Sequence, residues 1–208
     1  MLFFLSFIYC AIFLLYGCYT DIKTRRVSNK VWIYMLPGAT VLFLLKLVHN
    51  FPQYLIKTIL LVCTVFILAE LVFYISNKAI GGADLKALIM IAFLFPLFQE
   101  FTISEYAFPI LGIPPIPIFV VTVFNNALIL TVLAFPVIFI QNLLQVGLKD
   151  VLNKPPQFFH TYKHDVKYIS IPFFVPLTIG FFISIFAGDI FVWLLSLSQD
   201  YYVMVYLK

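Results

Sequence analysis

Charge is scarce in this chain. Of its 208 residues only nine are acidic and 13 are basic, and charged residues make up 11% of the sequence against 63% hydrophobic ones. An ordinary soluble domain is about 45 to 50% apolar, so a soluble globular protein is excluded. The basic residues cluster beside apolar runs, a pattern that orients helices in a bilayer and forms no stripe for binding nucleic acid. The sequence therefore predicts an integral membrane protein without a nucleic-acid partner.

Motifs for several common sites are also missing. The three cysteines fall inside apolar runs and form no CxxC pair, so neither a zinc site nor a disulfide framework is predicted. His160 and His164 have i, i+4 spacing but no HExxH arrangement. The chain has no Gly-x-Ser-x-Gly elbow and no phosphate-binding loop. We therefore expect neither metal nor cofactor.

Apolar runs long enough to cross a bilayer are abundant. At roughly 20 residues per spanning helix, the chain has room for about six, which predicts an all-α polytopic fold in a single membrane-embedded domain over residues 1–208. The first run has no basic residue before Lys23 and no Ala-x-Ala cleavage site, so we expect a retained span and not a signal peptide. The predicted spans are 2–19, 31–48, 54–75, 84–98, 118–146 and 171–197.

Lysine and arginine residues prefer cytoplasmic loops and so assign sides to the connections. With the N-terminus outside, ten of the 13 basic residues lie inside, and only Lys46, Lys57 and Lys208 lie outside. We therefore expect a multi-pass protein of the cell membrane with its N-terminus outside. The predicted connections are inner loops at about 20–30, 76–84 and 147–170, and an irregular outer loop at about 99–117.

Several residues carry local structural expectations. Ser28 or Asn29 could cap the second span, and Pro37 is expected to kink it. Asn125 and Asn126 inside the fifth span are expected to hold helices together by hydrogen bonds. The sixth span is expected to be interrupted by its prolines and a glycine, namely Pro172, Pro176 and Gly180.

Two of the acidic residues stand at the ends of apolar runs. Asp21 follows the first run, and Asp84 opens the fourth, directly after Gly81, Gly82 and Ala83. The chain crosses the membrane twice between the two aspartates, so both are expected on the cytoplasmic side at similar depth. Two carboxyl groups that share a proton can hydrolyse a peptide, because one activates water while the other polarises the carbonyl. The glycines allow unusual backbone conformations and close approach of a substrate.

These acids are also compatible with two simpler or different roles. A solvated carboxylate at a helix end is common, and at a helix N-terminus the macrodipole favours Asp84 by about 0.3 to 1 kcal/mol. Alternatively, Asp21, Asp84 and Glu70, which lies within the third apolar run, bind protons or a cation in a small transporter or assembly subunit. Transporters place such groups near the midplane, whereas two of these three lie at a membrane face, which favours a protease.

Taken together, the residues around both aspartates resemble the type IV prepilin and archaeal preflagellin peptidases, which are membrane aspartyl proteases of the GxGD class. The resemblance is carried by Asp21 with the following Lys23 to Asn29 run, and by the stretch from Gly81 to Lys86. Ala83 stands where the usual motif has glycine. The resemblance extends to the order of about six spans. It implies that Asp21 and Asp84 are the catalytic pair and that the preceding glycines form an active-site loop.

The resemblance also implies a substrate. Its members remove a short basic leader, a class III signal peptide, from prepilins or preflagellins at the cytoplasmic membrane face. Many bacterial members carry a zinc-binding cysteine domain and also methylate the new N-terminus. This chain has no such domain, so we expect peptidase activity without methyltransferase activity, as in the compact archaeal members. The residues considered for support are Lys23, Arg25, Arg26, Glu70 and Lys86. The first three are expected to set the topology, with a second role near the pair, and Glu70 either makes a structural hydrogen bond or supports the active site. Lys86 either acts on an acid electrostatically or reaches lipid headgroups.

Overall fold

Helices dominate the computed structural model. It describes residues 2–24, 27–50, 55–59, 61–63, 65–66, 82–97, 101–103, 106–109, 118–146 and 174–197. The helices are α1 (Leu2–Thr24), α2 (Asn29–Asn50), α3 (Gly82–Leu94), α4 (Phe119–Val146), α5 (Phe174–Phe186) and α6 (Ile190–Leu197). The described residues between 55 and 66 are also helical. Strands β1 (Phe101–Ile103) and β2 (Tyr106–Phe108) pair antiparallel.

The described helices are those of a membrane protein. Within the described ranges, three stretches are long and apolar enough to cross a bilayer singly: Leu2–Thr24, Asn29–Val48 and Phe119–Gln141. The pair α5 and α6, bent by 61°, makes a fourth if it counts as one span. Large apolar side chains such as Tyr34 and Val132 are 69% exposed, as expected for surfaces that face lipid. The prediction of an all-α polytopic membrane protein is confirmed, whereas the described residues contain three or four candidate spans and not six.

The helix ends differ from the predicted spans. Helix α1 continues to Thr24, a turn beyond its predicted end at residue 19, so Asp21 and Lys23 are helical. Helix α3 ends at Leu94, before the predicted end at 98, because Pro96 cannot continue a helix. Helix α2 runs through Pro37 as one continuous element. Helix α4 begins one residue after the predicted start of the fifth span and ends at its predicted end, residue 146.

The predicted outer loop contains a hairpin. Phe101, Thr102 and Ile103 pair with Phe108, Ala107 and Tyr106, respectively. These strands are rich in aromatic and β-branched residues, which favour extended structure. The expectation of an irregular loop was therefore wrong for this part of the 99–117 connection.

A cluster of aromatic rings fills the core between α1, α4 and α5. Phe181 of α5 is fully buried, and its ring centre lies 5.8 Å from that of Phe95 and 5.9 Å from that of Phe119. Phe7 of α1 stacks on Phe181 at 6.0 Å. Ring pairs at such distances add to the free energy gained by burying them. The contacts attach α5 to α1 and to the start of α4.

The backbones of α4 and α5 lie close together at Gly180. A Cβ atom built on Gly180 would lie 2.9 Å from both the Ala127 nitrogen and the Val123 oxygen. Small residues commonly allow such approach between membrane helices. Asn126 lies beside this contact and donates to Ser184 Oγ at 2.9 Å and to the Gly188 carbonyl oxygen at 2.8 Å. The expectation that the asparagine holds helices together is confirmed.

The bend between α5 and α6 lies at Gly188 and Asp189. Gly188 has a φ of 104°, a left-handed conformation that favours glycine. The Asp189 carboxylate accepts hydrogen bonds from the backbone nitrogens of Phe191 and Val192 at 3.0 and 3.2 Å, so it caps α6. The sequence-based interruption of this span was misplaced: Pro176 and Gly180 lie inside α5, and Pro172 lies outside the described residues.

Candidate functional site

Asp84 lies in the first turn of α3 and is 6% exposed. It continues the stripe of buried residues by which α3 packs against its neighbours. The other members of this stripe are Ala87, Leu88, Ile91 and Leu94. Because residues three and four apart share a helix face, the Asp84 carboxylate belongs to the face that points into the bundle.

Asp21 lies in the last turn of α1 and is partly exposed. The buried residues of α1 include Cys10, Leu14 and Gly17, and Asp21 follows Gly17 at i+4. It therefore extends the buried stripe of α1 to the end of the helix. Like Asp84, it stands where an inward-facing apolar stripe meets a helix terminus.

The two aspartates lie at the same end of the bundle. Helix α1 contacts α3, and Phe3 near the start of α1 packs against Phe95 just beyond the end of α3, with ring centres 5.3 Å apart. The two helices are therefore antiparallel, so the end of α1 and the start of α3 lie on the same side of the bundle. We call this the Asp84 end of the bundle, where α1 ends at Thr24 and α2 and α3 begin.

A hydrogen bond joins the starts of α2 and α3 at the Asp84 end. Lys86 Nζ donates to Asn29 Oδ1 at 2.6 Å, and both side chains are exposed. Of the two possible caps for α2, Ser28 takes the role: it accepts from the Lys30 nitrogen through Oγ and from the Val31 nitrogen through its carbonyl. The Asn29 side chain is therefore available to Lys86, and the bond links the two segments of the sequence motif.

The residues before Asp84 have ordinary helical geometry where the structure describes them. Gly82 is exposed, and a Cβ atom built on it would meet no atom of the described residues within 4 Å. Ala83 lies inside α3, so alanine in place of the usual glycine requires no left-handed backbone. Gly81 lies outside the described residues. Open space beside Gly82 leaves the α3 terminus accessible to another chain.

The predicted aspartates fall within a region that matches a known family. Residues 8–135 match the model of the type IV leader peptidase family. The chain belongs to this family. The matched region begins in α1, includes both aspartates and ends in α4. No curated protein and no solved structure gave a match. Membership identifies a multi-pass membrane protein of a peptidase family that acts on prepilin-type proteins.

The remaining residues expected to support the candidate site have different positions. Lys23 is exposed and places Nζ 3.5 Å from the Tyr19 hydroxyl oxygen, one turn earlier on α1. Arg25, Arg26 and Glu70 lie outside the described residues. Lys86 contacts Asn29, a partner that neither expected role had included.

Aromatic residues of α2 and α5 form a wall beside Gly17, one turn before Asp21. Phe174, the first residue of α5, packs on Gly17, where a Cβ atom would lie 2.7 Å from its ring. The Trp32 ring centre lies 6.0 Å from that of Phe174. The buried Trp32 Nε1 has no hydrogen-bond acceptor among the residues that the structure describes. Sequence reasoning missed this wall, because hydropathy alone does not reveal which aromatic residues meet.

Sequence reasoning did not predict that two charged residues of this leader peptidase family member would be buried. Lys46, which was assigned to the outer side of the membrane, is 6% exposed. Asp189 was not considered, although a Gly-Asp pair within an apolar run is a recognisable signal of a buried acid or a broken helix. Both lie away from the Asp84 end. Within the described ranges, no three His, Cys, Asp or Glu side chains cluster as metal ligands would.

Proposed function

We propose that this protein is an aspartyl endopeptidase that removes the basic leader from prepilin or preflagellin precursors at the cytoplasmic membrane face. One observation carries the proposal. Asp21 and Asp84, far apart in the sequence, lie at the same end of two contacting antiparallel helices, each on an inward-facing stripe. Membership in a leader peptidase family supplies the class of reaction.

The chemistry follows from two carboxyl groups that hold one proton between them. The ionised carboxylate takes a proton from water, and the resulting hydroxide adds to the scissile carbonyl carbon while the protonated carboxyl donates to the carbonyl oxygen. The tetrahedral intermediate then collapses: the C–N bond breaks, the carboxyl that took a proton from water passes it to the leaving nitrogen, and the other carboxylate takes a proton back from a hydroxyl of the intermediate. A shared proton also leaves the pair with a single negative charge, which reduces the cost of desolvating it at a membrane face.

The position of the site suits a substrate with a polar leader and a hydrophobic helix. The helix of such a precursor lies in lipid beside the enzyme, and its polar leader emerges where α3 begins. Open space beside Gly82 allows the substrate backbone to approach the turn that carries Asp84. Cleavage at the junction between leader and helix therefore requires only that the junction lie at the depth of the aspartates.

The charges at the Asp84 end support the cytoplasmic placement. Lys23, Lys30 and Lys86 are exposed at this end, and exposed basic residues beside spans favour the cytoplasmic side. A cysteine introduced at Lys30 in a cysteine-free background should react with a membrane-impermeant maleimide in inverted vesicles and be protected in intact cells. Labelling in intact cells would place the site on the other face.

The aspartyl mechanism is tested by replacing each carboxyl with an amide. Asp84→Asn and Asp21→Asn should each lower cleavage of a coexpressed prepilin by at least about 10³-fold, while the protein elutes from a sizing column in detergent as the parent does. Asp200→Asn, the same change at an acid outside the proposed pair, should cleave normally. Normal cleavage by either of the first two variants would refute the mechanism. Glu70, on which the transporter alternative also depends, lies outside the described residues.

A further inference from the structure

Two lysines, one from each helix, attach α3 to α2. At the Asp84 end, Lys86 Nζ of α3 donates to Asn29 Oδ1 of α2 at 2.6 Å. At the opposite end, Lys46 Nζ of α2 donates to the Leu94 carbonyl oxygen of α3, also at 2.6 Å. The start of α3 is thus joined to the start of α2 and its end to the end of α2, so the two helices are parallel.

Together, the two hydrogen bonds fix the axial position of α3 relative to α2. At 1.5 Å per residue, the stretch from Asn29 to Lys46 is about 25 Å long, and that from Lys86 to Leu94 is about 12 Å. The flexible lysine stems cover the difference, one at each end. Axial sliding of α3 along α2 therefore shortens one connection only by stretching the other.

We propose that Lys86 is a positioning residue that sets the height of Asp84 through its bond to Asn29. Asp84 and Lys86 occupy the same turn of α3, and Asn29 begins the helix that follows the Asp21 segment. The bond thus ties the turn carrying one aspartate to the chain segment that follows the other. This inference rests on the proposed aspartyl peptidase function.

The exposure of Lys86 and Asn29 distinguishes a positioning role for their hydrogen bond from a general contribution to folding. Lys86 and Asn29 are exposed, whereas Lys46 at the opposite end is buried. Loss of the exposed bond removes no core contact and no helix cap, since Ser28 caps α2. Variants at these two positions are therefore expected to fold, with the start of α3 no longer joined to the start of α2 by this bond.

The experiment is a double-mutant cycle on the purified enzyme with a prepilin substrate. Lys86→Met and Asn29→Ala should each lower kcat by about 10- to 100-fold, the range expected for an aspartate displaced by about 1 Å, and change KM by less than about twofold. The double variant should be no worse than either single one, because both remove the same bond. Lys86→Arg, which keeps a donor, should recover most of kcat. Lys30→Gln, which removes a neighbouring charge, should behave as the parent.

A charge effect or a lipid anchor at Lys86 would give different results. If Lys86 acted on an aspartate by its charge, Lys86→Met would shift the pH dependence of kcat, Asn29→Ala would not, and the two losses would multiply. If it anchored the helix to headgroups, its effect would depend on anionic lipid and not on Asn29. Either result would overturn the inference. The same assay includes Asp84→Asn. Cleavage by that variant would refute the peptidase mechanism itself. If Asp84→Asn is inactive but the effects of Lys86→Met and Asn29→Ala multiply in the double variant, only the positioning role is refuted.

Discussion

The Lys46 ammonium lies 2.6 Å from the carbonyl oxygen of Leu94. Leu94 is the last residue of α3, where the helix leaves carbonyl oxygens without intrahelical donors and the macrodipole favours a positive charge. The same ammonium lies 5.0 Å from the centre of the Phe95 ring, within the range of a cation–π contact. A buried lysine thus stabilises the end of α3 opposite Asp84.

Replacement of this lysine should destabilise the protein. Lys46→Met keeps most of the apolar stem but leaves the Leu94 carbonyl oxygen without its donor, which costs about 1 to 3 kcal/mol. The free energy of unfolding in detergent micelles measures the loss. Lys57→Met, at an exposed lysine, should change it by less than about 0.5 kcal/mol. Equal stability of the two variants would contradict the role assigned to Lys46.

Gly180→Ala should weaken the contact between α4 and α5. The added methyl group would lie 2.9 Å from backbone atoms of Ala127 and Val123, and a backbone cannot move aside as a flexible side chain can. Overpacking of this kind costs about 1 to 3 kcal/mol. Thermal unfolding in detergent should show a lower midpoint for Gly180→Ala than for Gly82→Ala, whose methyl group enters open space. A midpoint equal to that of the parent would show that the helices separate at little cost.

Gly82→Ala should impair cleavage of the substrate without lowering the stability of the protein. Because no residue in the described part of the chain lies within 4 Å of the new methyl group and alanine favours a helix more than glycine does, we expect an unfolding midpoint at least as high as the parent's. If the substrate backbone approaches this turn, the methyl group obstructs it, and kcat/KM for prepilin cleavage should fall by about tenfold or more. Full activity would place the bound substrate elsewhere.

Asn126→Leu should destabilise the bend between α5 and α6. The Asn126 side chain donates to Ser184 and Gly188 and accepts from the Ile190 nitrogen at 3.0 Å. The unpaired groups that leucine leaves behind should cost about 1 to 3 kcal/mol in unfolding experiments. Hydrogen exchange at the Ile190 amide should also accelerate. Asn125→Leu, which removes one bond of 3.3 Å to Asp189, should cost less; a larger loss for Asn125→Leu would contradict this ranking.

Local sequence signals predicted much of the fold and the pair of candidate acids. The fifth apolar run predicted α4 to within a residue of its start at Phe119, because a long apolar run has one favourable state in lipid, where a proline such as Pro136 inside the helix is tolerated. The first and fourth runs located Asp21 and Asp84 at helix ends. The sequence did not predict that α1 would continue past Asp21, because a polar turn is equally compatible with a loop or with a helix end.

Contacts between distant segments decided the rest. A lysine near the end of a span is read from the sequence as a surface charge, yet Lys46 is buried because α3 ends beside it and presents a free carbonyl oxygen. Lys86 likewise meets its partner, Asn29, on another helix, and Asp189 accepts a hydrogen bond from Asn125 of α4 in addition to capping α6.

By itself, the sequence determined that this chain is a helical membrane protein with one acid at the end of α1 and another at the start of α3, because hydropathy and helix breakers act locally along the chain. Counting the spans also predicted both acids on one side of the membrane, whereas only the tertiary structure decided that they stand on inward-facing stripes of two contacting helices and that Lys86 meets Asn29. The physical reason is that a hydrogen bond or a buried charge depends on which groups a neighbouring helix presents, and that choice is made by packing.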